Sequence, residues 1–195
     1  MGSRLKVNVR RARPGYLKTA ARKPLKVKID RTGRPTLVRF SRYFRGFDKI
    51  DAVRSIFGAS TSRILRDLKV CFFEQKAGYM GVSDVDGSLV VSSYNLRNGK
   101  FRDLYLDVIH ELVHVQQFRQ GREIFDNRYE YVDSPVEIEA YRHVVKEAER
   151  IGMSRAQIVD YLRVEWISER ALTRLLRNIG FSSRPRKRKG QEPPP

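Results

Sequence analysis

Apolar residues recur along the chain in two periods. Between residues 70 and 94 they form three short runs, Val70 to Glu74, Gly78 to Ser83 and Ser88 to Tyr94, with Asp84-Val85-Asp86-Gly87 as a turn before the last. Runs of this length bounded by turn residues predict strands, and three in succession predict an antiparallel meander. From Phe101 to Gln120 the period becomes that of a helix, with Gly121 as its C-terminal cap. Leu104, Leu106, Val108, Ile109, Leu112, Val113 and Val115 surround that helix on most sides, so it is expected to be central and buried. Ser134-Pro135 opens a helix reaching Arg150, and two more follow over 154–163 and 168–179, the second ended by Gly180. Short helices over 51–57 and 61–68 precede the strands. The pattern predicts an α+β fold in which a small antiparallel sheet packs on one helix and further C-terminal helices close the core.

Charge divides the chain differently. Residues 1–45 carry 15 Lys/Arg against the single acid Asp30, and residues 181–195 carry five against Glu192, so the formal +18 of the 195-residue chain lies entirely at its ends. Residues 46–180 are neutral, which predicts a neutral core domain with basic extensions and argues against a uniformly basic nucleic-acid-binding fold. Strand-like alternation at 5–9, 25–29 and 36–40 makes the 1–45 arm a candidate β-ribbon or prosegment. The segment 181–195, Arg/Lys- and Pro-rich, predicts disorder. Both ends can meet nucleic-acid phosphates, with Tyr16, Phe40, Tyr43, Phe44 and Phe47 as candidate stacking partners. No stretch approaches a membrane span and no signal-peptide run opens the chain, so a soluble cytoplasmic protein without a membrane partner is the expectation. The single cysteine, Cys71, excludes an internal disulfide.

The chemistry concentrates in His110-Glu111-Leu112-Val113-His114. Helical positions i and i+4 share a face, so both imidazoles can address one metal ion, with Glu111 beside it. This is the arrangement of zinc-assisted hydrolysis, in which the metal acidifies a water and polarises a carbonyl while the carboxylate moves the proton. Two of the chain's three histidines occupy this spacing on a helix predicted to be buried, where an unpaired polar group costs about 1–3 kcal/mol. A catalytic zinc takes a third protein ligand. Gln117 and Gln120 stand where a metzincin needs glycine and histidine, which excludes that class. The helix opening at Ser134 offers Glu137 and Glu139.

Over Tyr105–Gln117 and Ser134–His143 the chain resembles the gluzincin metallopeptidases, especially the compact ImmA/IrrE-like and minimal gluzincin groups, in which HExxH is followed by a second-helix Glu-x-x-Ala. The resemblance implies a zincin-like fold, a Zn2+ cofactor, a protein or peptide substrate, and Glu111 as general base and acid. It favours Glu137 as third ligand, because Ala140 follows it at the family's spacing whereas Arg142 follows Glu139. Ser134-Pro135-Val136-Glu137 is also a capping box, which would turn Glu137 back on its own helix and leave the metal to Glu139. The family's usual Asp or Asn four residues after the ligand is Tyr141 here. Tyr141 and His143 are candidates for transition-state stabilisation, as are Tyr129 and Tyr131. The strand over 88–94 is a candidate partner for an extended substrate.

A reading from another class treats the chain as a nucleic-acid-binding or regulatory protein with a vestigial or structural zinc site. The last two helices have the length of a helix-turn-helix unit, with Arg163, Arg170, Arg174 and Arg177 to meet DNA. Ile158, Leu162, Trp166, Leu172, Leu175, Leu176 and Ile179 more simply make them a packed helical subdomain.

Overall fold

The structure, a computed structural model, describes residues 25–33, 36–76 and 80–182. It is α+β. Strands β1 (Lys28–Ile29), β2 (Leu37–Arg39) and β3 (Phe44–Arg45) come first, with helix α1 (Phe40–Tyr43) between the last two. Helices α2 (Asp51–Phe57) and α3 (Thr61–Asp67) lead into strands β4 (Lys69–Phe73), β5 (Met80–Val82) and β6 (Leu89–Ser92). Helices α4 (Ser93–Asn98), α5 (Phe101–Arg119), α6 (Pro135–Arg150), α7 (Arg155–Leu162) and α8 (Glu169–Asn178) complete the chain. The expected strand at 5–9, Tyr16 and the tail beyond 182 lie outside the described residues. No helix of the described residues is long and apolar enough to cross a membrane.

The sheet is mixed, which corrects the expected antiparallel meander. Its order is β2-β4-β6-β5, with β6 parallel to β4 and antiparallel to β5. Asp84-Val85-Asp86-Gly87 forms the expected turn: Gly87 takes φ +69°, and the Asp86 carboxylate accepts from the Ser88 backbone N–H at 3.1 Å and hydroxyl at 2.7 Å. That turn makes β5 and β6 neighbours. The connection over 74–79 is longer than a hairpin turn, so the chain can step one strand past β4 before returning. Interior position buries all four residues of β6 and withdraws them from the edge; β5 is the edge strand instead. The predicted strand over 88–94 ends at Ser92, whose hydroxyl accepts from the Asn95 N–H at 3.2 Å and starts α4.

The expected boundary at residue 45 does not coincide with a break in packing. β2 pairs with β4, and Phe40, Phe44 and Phe47 are fully buried. Phe40 stacks on Phe44 with centroids 4.9 Å apart, and Phe47 reaches Tyr105 of α5 at 5.6 Å. These rings, with the buried Tyr43, are core and not platforms for nucleic-acid bases.

Helix α5 is the centre of the molecule, as its apolar periphery predicts: Leu104 to Val115 are buried without interruption. It packs against α2, β5 and α6. Buried polar links hold it in register. Tyr105 donates to Glu147 of α6, whose carboxylate also takes two 2.6 Å bonds from Arg150, and Tyr161 of α7 donates to Asp107 at 2.7 Å. Ala140 on α6, three residues after Glu137, has no exposed surface.

Candidate metal centre

Helical spacing sets His110 and His114 one turn apart on α5, and both are buried. Their Nε2 atoms approach to 2.8 Å. From α6, Glu137 brings Oε2 to 3.2 Å from Nε2 of His110 and Oε1 to 3.5 Å from Nε2 of His114. One ligand atom from each residue lies within 4.8 Å of the others, and this is the group of potential metal ligands found among the described residues.

Donor chemistry and spacing both fit a divalent metal. Ligands at zinc bond lengths of about 2.0–2.1 Å in a tetrahedron stand roughly 3.3 Å apart. The separations of 2.8, 3.2 and 3.5 Å scatter around that edge. Two imidazoles and one carboxylate are a donor set that also suits other first-row ions, so the group could hold a metal ion whose identity the geometry does not specify.

Electrostatics of the metal-free cluster follow from the same proximity. Burial alone would push the His114 imidazole down, but Glu137 outweighs it, with Glu111 and Gln117 assisting, and raises it. Burial alone would push Glu137 up, yet His114 and His110 hold its carboxyl well below the usual carboxylate range. Glu137 is thus held as an ionised carboxylate beside the two imidazoles.

The two glutamates left open by the sequence go to different places. Ser134 makes no side-chain cap at the start of α6, so the capping-box pull on Glu137 is absent and its carboxylate faces the histidines. Glu139, half-buried, pairs with Arg122 and accepts from the Gln117 side-chain amide at 3.0 Å.

Gln117 has a part that the sequence reading, which used it only to exclude metzincins, did not assign. Its amide nitrogen donates to the Val136 carbonyl and to Glu139, each at 3.0 Å, so its oxygen faces Nδ1 of His114 at 2.7 Å. Nδ1 is then the protonated nitrogen, and Nε2 presents its lone pair to the centre. The available signal was position: Gln117 follows His114 by three residues on the same helical face.

The remaining candidates separate clearly. Glu111 is buried and lines the pocket at the cluster, together with Val82 of β5, Ile124, Phe125 and Tyr131. Tyr141 lies under the site, its ring 4.7 Å from that of His110 and its hydroxyl 2.7 Å from that of Tyr131. Tyr131 is therefore the tyrosine on the pocket wall, and Tyr141 its support. Tyr129 is exposed and does not line the pocket. His143 is half-buried outside the cluster, where burial lowers its pKa against the pull of Glu139.

Helix α8 braces the wall. Asn178 donates to the Val132 carbonyl and to Asp133, both at 2.9 Å, Arg174 pairs with Glu130 and Asp133, and Trp166 meets the Tyr131 ring edge-on at 6.0 Å. Arg163 pairs with Glu169. Arg163 and Arg174, two of the four arginines that the helix-turn-helix alternative would turn to DNA, are thereby engaged within the fold. The space at the cluster is about 10 Å3, room for about one water. No family model, curated protein or solved structure matches the chain.

Proposed function

We propose that this chain is a zinc-dependent metallopeptidase of zincin-like, gluzincin type, with His110, His114 and Glu137 as metal ligands. The observation that carries the reading is the convergence of two Nε2 atoms and a carboxylate at tetrahedral spacing beside a second buried carboxylate, Glu111, on the same pocket wall.

Zinc held by such a set supplies Lewis acidity, polarising a carbonyl and acidifying a water. Glu111 accepts the proton of the attacking water and delivers it to the departing amine. Tyr131 donates its hydroxyl hydrogen to the oxyanion that develops on the scissile carbonyl, while Tyr141 holds that hydroxyl in place. Edge strand β5, which sends Val82 into the pocket, offers backbone groups to an extended peptide.

The test is metal analysis of the purified chain, followed by cleavage of a panel of unfolded proteins with and without a chelator, for wild type and Glu111→Gln. Wild type is expected to carry stoichiometric zinc and cleave in a chelator-sensitive way. Glu111→Gln is expected to keep the zinc and lose cleavage. Absence of zinc overturns the reading, and zinc without cleavage of any substrate favours a structural or regulatory metal site.

A further inference from the structure

The same spacing of cations occurs twice in the chain, Arg39-x-x-Arg42-x-x-Arg45 and Arg63-x-x-Arg66-x-x-Lys69. The fold lays the two segments side by side. Arg39 is the register partner of Lys69 across β2 and β4, the Phe40 N–H donates to the Leu68 carbonyl at 2.8 Å, and α1 packs on α3. All six cations are exposed, because the residues between them (Phe40, Tyr43, Phe44, Ile64, Leu65, Leu68) take the buried positions. Lys28, opposite Arg45 across β1 and β3, adds a seventh.

Two cross-strand pairs, Lys28 with Arg45 and Arg39 with Lys69, therefore set like charges directly opposite, an arrangement that costs stability. Little within the fold offsets it. Asp67, the single acid in the two segments, reaches Arg39 at 3.6 Å in an exposed pair of small worth. Asp30 lies within electrostatic range of Arg42 and Arg45, and Asp86 within that of Lys69, but their carboxylates accept hydrogen bonds from Thr32 at 2.6 and 2.9 Å and from Ser88 at 2.7 and 3.1 Å. Among the described residues, Arg42, Arg45, Arg63, Arg66 and Lys69 make no ion pair.

We propose that this surface binds the phosphodiester backbone of a nucleic-acid duplex. A duplex offers about one negative charge per 1.7 Å of axis, a density that repays clustered cations through counterion release. The nearby aromatic rings are in the core, so the surface holds phosphates without stacking on bases, which makes the binding insensitive to sequence. Guanidinium groups suit phosphate oxygens by their forked donors, and five of the six cations in the paired segments are arginine. The preceding residues 1–24, with eight Lys/Arg and no acid, extend the same charge along the chain. This surface is separate from the metal ligands, and its test does not depend on peptidase activity.

The experiment is fluorescence anisotropy of the full chain with labelled DNA and RNA duplexes of equal length over a range of salt, with co-sedimentation on phosphatidylserine vesicles as a further arm. Three proteins are compared: wild type, the quadruple Arg42→Ser, Arg45→Ser, Arg63→Ser, Arg66→Ser, and a control losing equal charge elsewhere, Arg119→Ser, Lys146→Ser, Arg170→Ser, Arg177→Ser. Circular dichroism verifies that each is folded. The expected result is duplex binding by wild type and control, with the patch variant weakened at least about tenfold and its log–log salt slope shallower by roughly 0.9 for each phosphate that is no longer neutralised. The two duplex arms tell DNA from RNA. Failure of wild type to bind either duplex, equal loss in patch variant and control, or binding only to anionic phosphatidylserine vesicles overturns the proposal.

Discussion

Nδ1 of His114 and Oε1 of Gln117 lie 2.7 Å apart one turn along the same helix, and the other end of that amide is fastened to α6. The link fixes both the ring's orientation and its tautomer, and it couples the metal site to the docking of α6 on α5. Gln117→Leu removes the acceptor while keeping an apolar side chain of similar length. Its metal affinity is expected to fall by about 10–100-fold, the usual effect of losing a partner behind a ligand. Competition with a chromophoric chelator measures this, and an unchanged affinity removes Gln117 from the site.

Glu137 and Glu139 are two residues apart on α6 and should respond very unequally to the same substitution. Glu137→Gln takes the charge from the carboxylate that contacts both imidazoles. Its metal affinity is expected to drop by more than the roughly 100-fold upper end for an outer partner. Glu139→Gln disturbs the Arg122 and Gln117 contacts at a half-buried position and is expected to cost no more than about tenfold. The same chelator competition separates them, and equal effects would remove Glu137 from the ligand set.

How much of this was legible in the chain depends on range. The metal helix, its Gly121 stop and the two histidines on one face follow from local periodicity, and so does the opening of α6 at Ser134-Pro135. Strand order did not follow: a turn sequence marks β5 and β6 as neighbours, but nothing local states that β6 also lies beside β4. Phe40, Phe44 and Phe47 sit among basic residues and read as surface aromatics, although pairing of β2 with the distant β4 puts them in the core. Glu137 and Glu139 differ by where α6 docks, which spacing alone cannot specify. The part of α8 in bracing Tyr131 likewise depends on contacts over more than forty residues.

Tyr131→Phe deletes only the hydroxyl that borders the pocket. Under the proposed mechanism kcat is expected to fall by about 10²–10³, the loss typical of one oxyanion donor, with metal content unchanged. Asn178→Ala loosens the turn carrying that tyrosine without entering the pocket, so a smaller loss of kcat is expected. Steady-state kinetics on a cleaved peptide checks both, and a Tyr131→Phe enzyme with wild-type kcat excludes the hydroxyl from the reaction.

Tyr105 gives the fold an alkaline limit. Burial, followed by the hydrogen bond to Glu147 and that residue's charge, raises the phenol well above its ordinary value of 10.0. In the unfolded chain the phenol loses its proton near pH 10, while in the folded chain it keeps it. Above pH 10 the unfolded state therefore binds fewer protons than the folded state, and stability falls as pH rises towards the folded-state pKa; below pH 10 the contribution is complete. Urea midpoints from pH 9 to 11.5 should decline in wild type. Tyr105→Phe should begin lower, by about 1–3 kcal/mol at pH 8, because the buried Glu147 carboxylate loses a donor and keeps only Arg150. Its decline above pH 10 should be shallower, since one group that titrates on unfolding is gone. Parallel curves for the two proteins would mean that Tyr105 ionises alike in both states, contrary to its burial against Glu147.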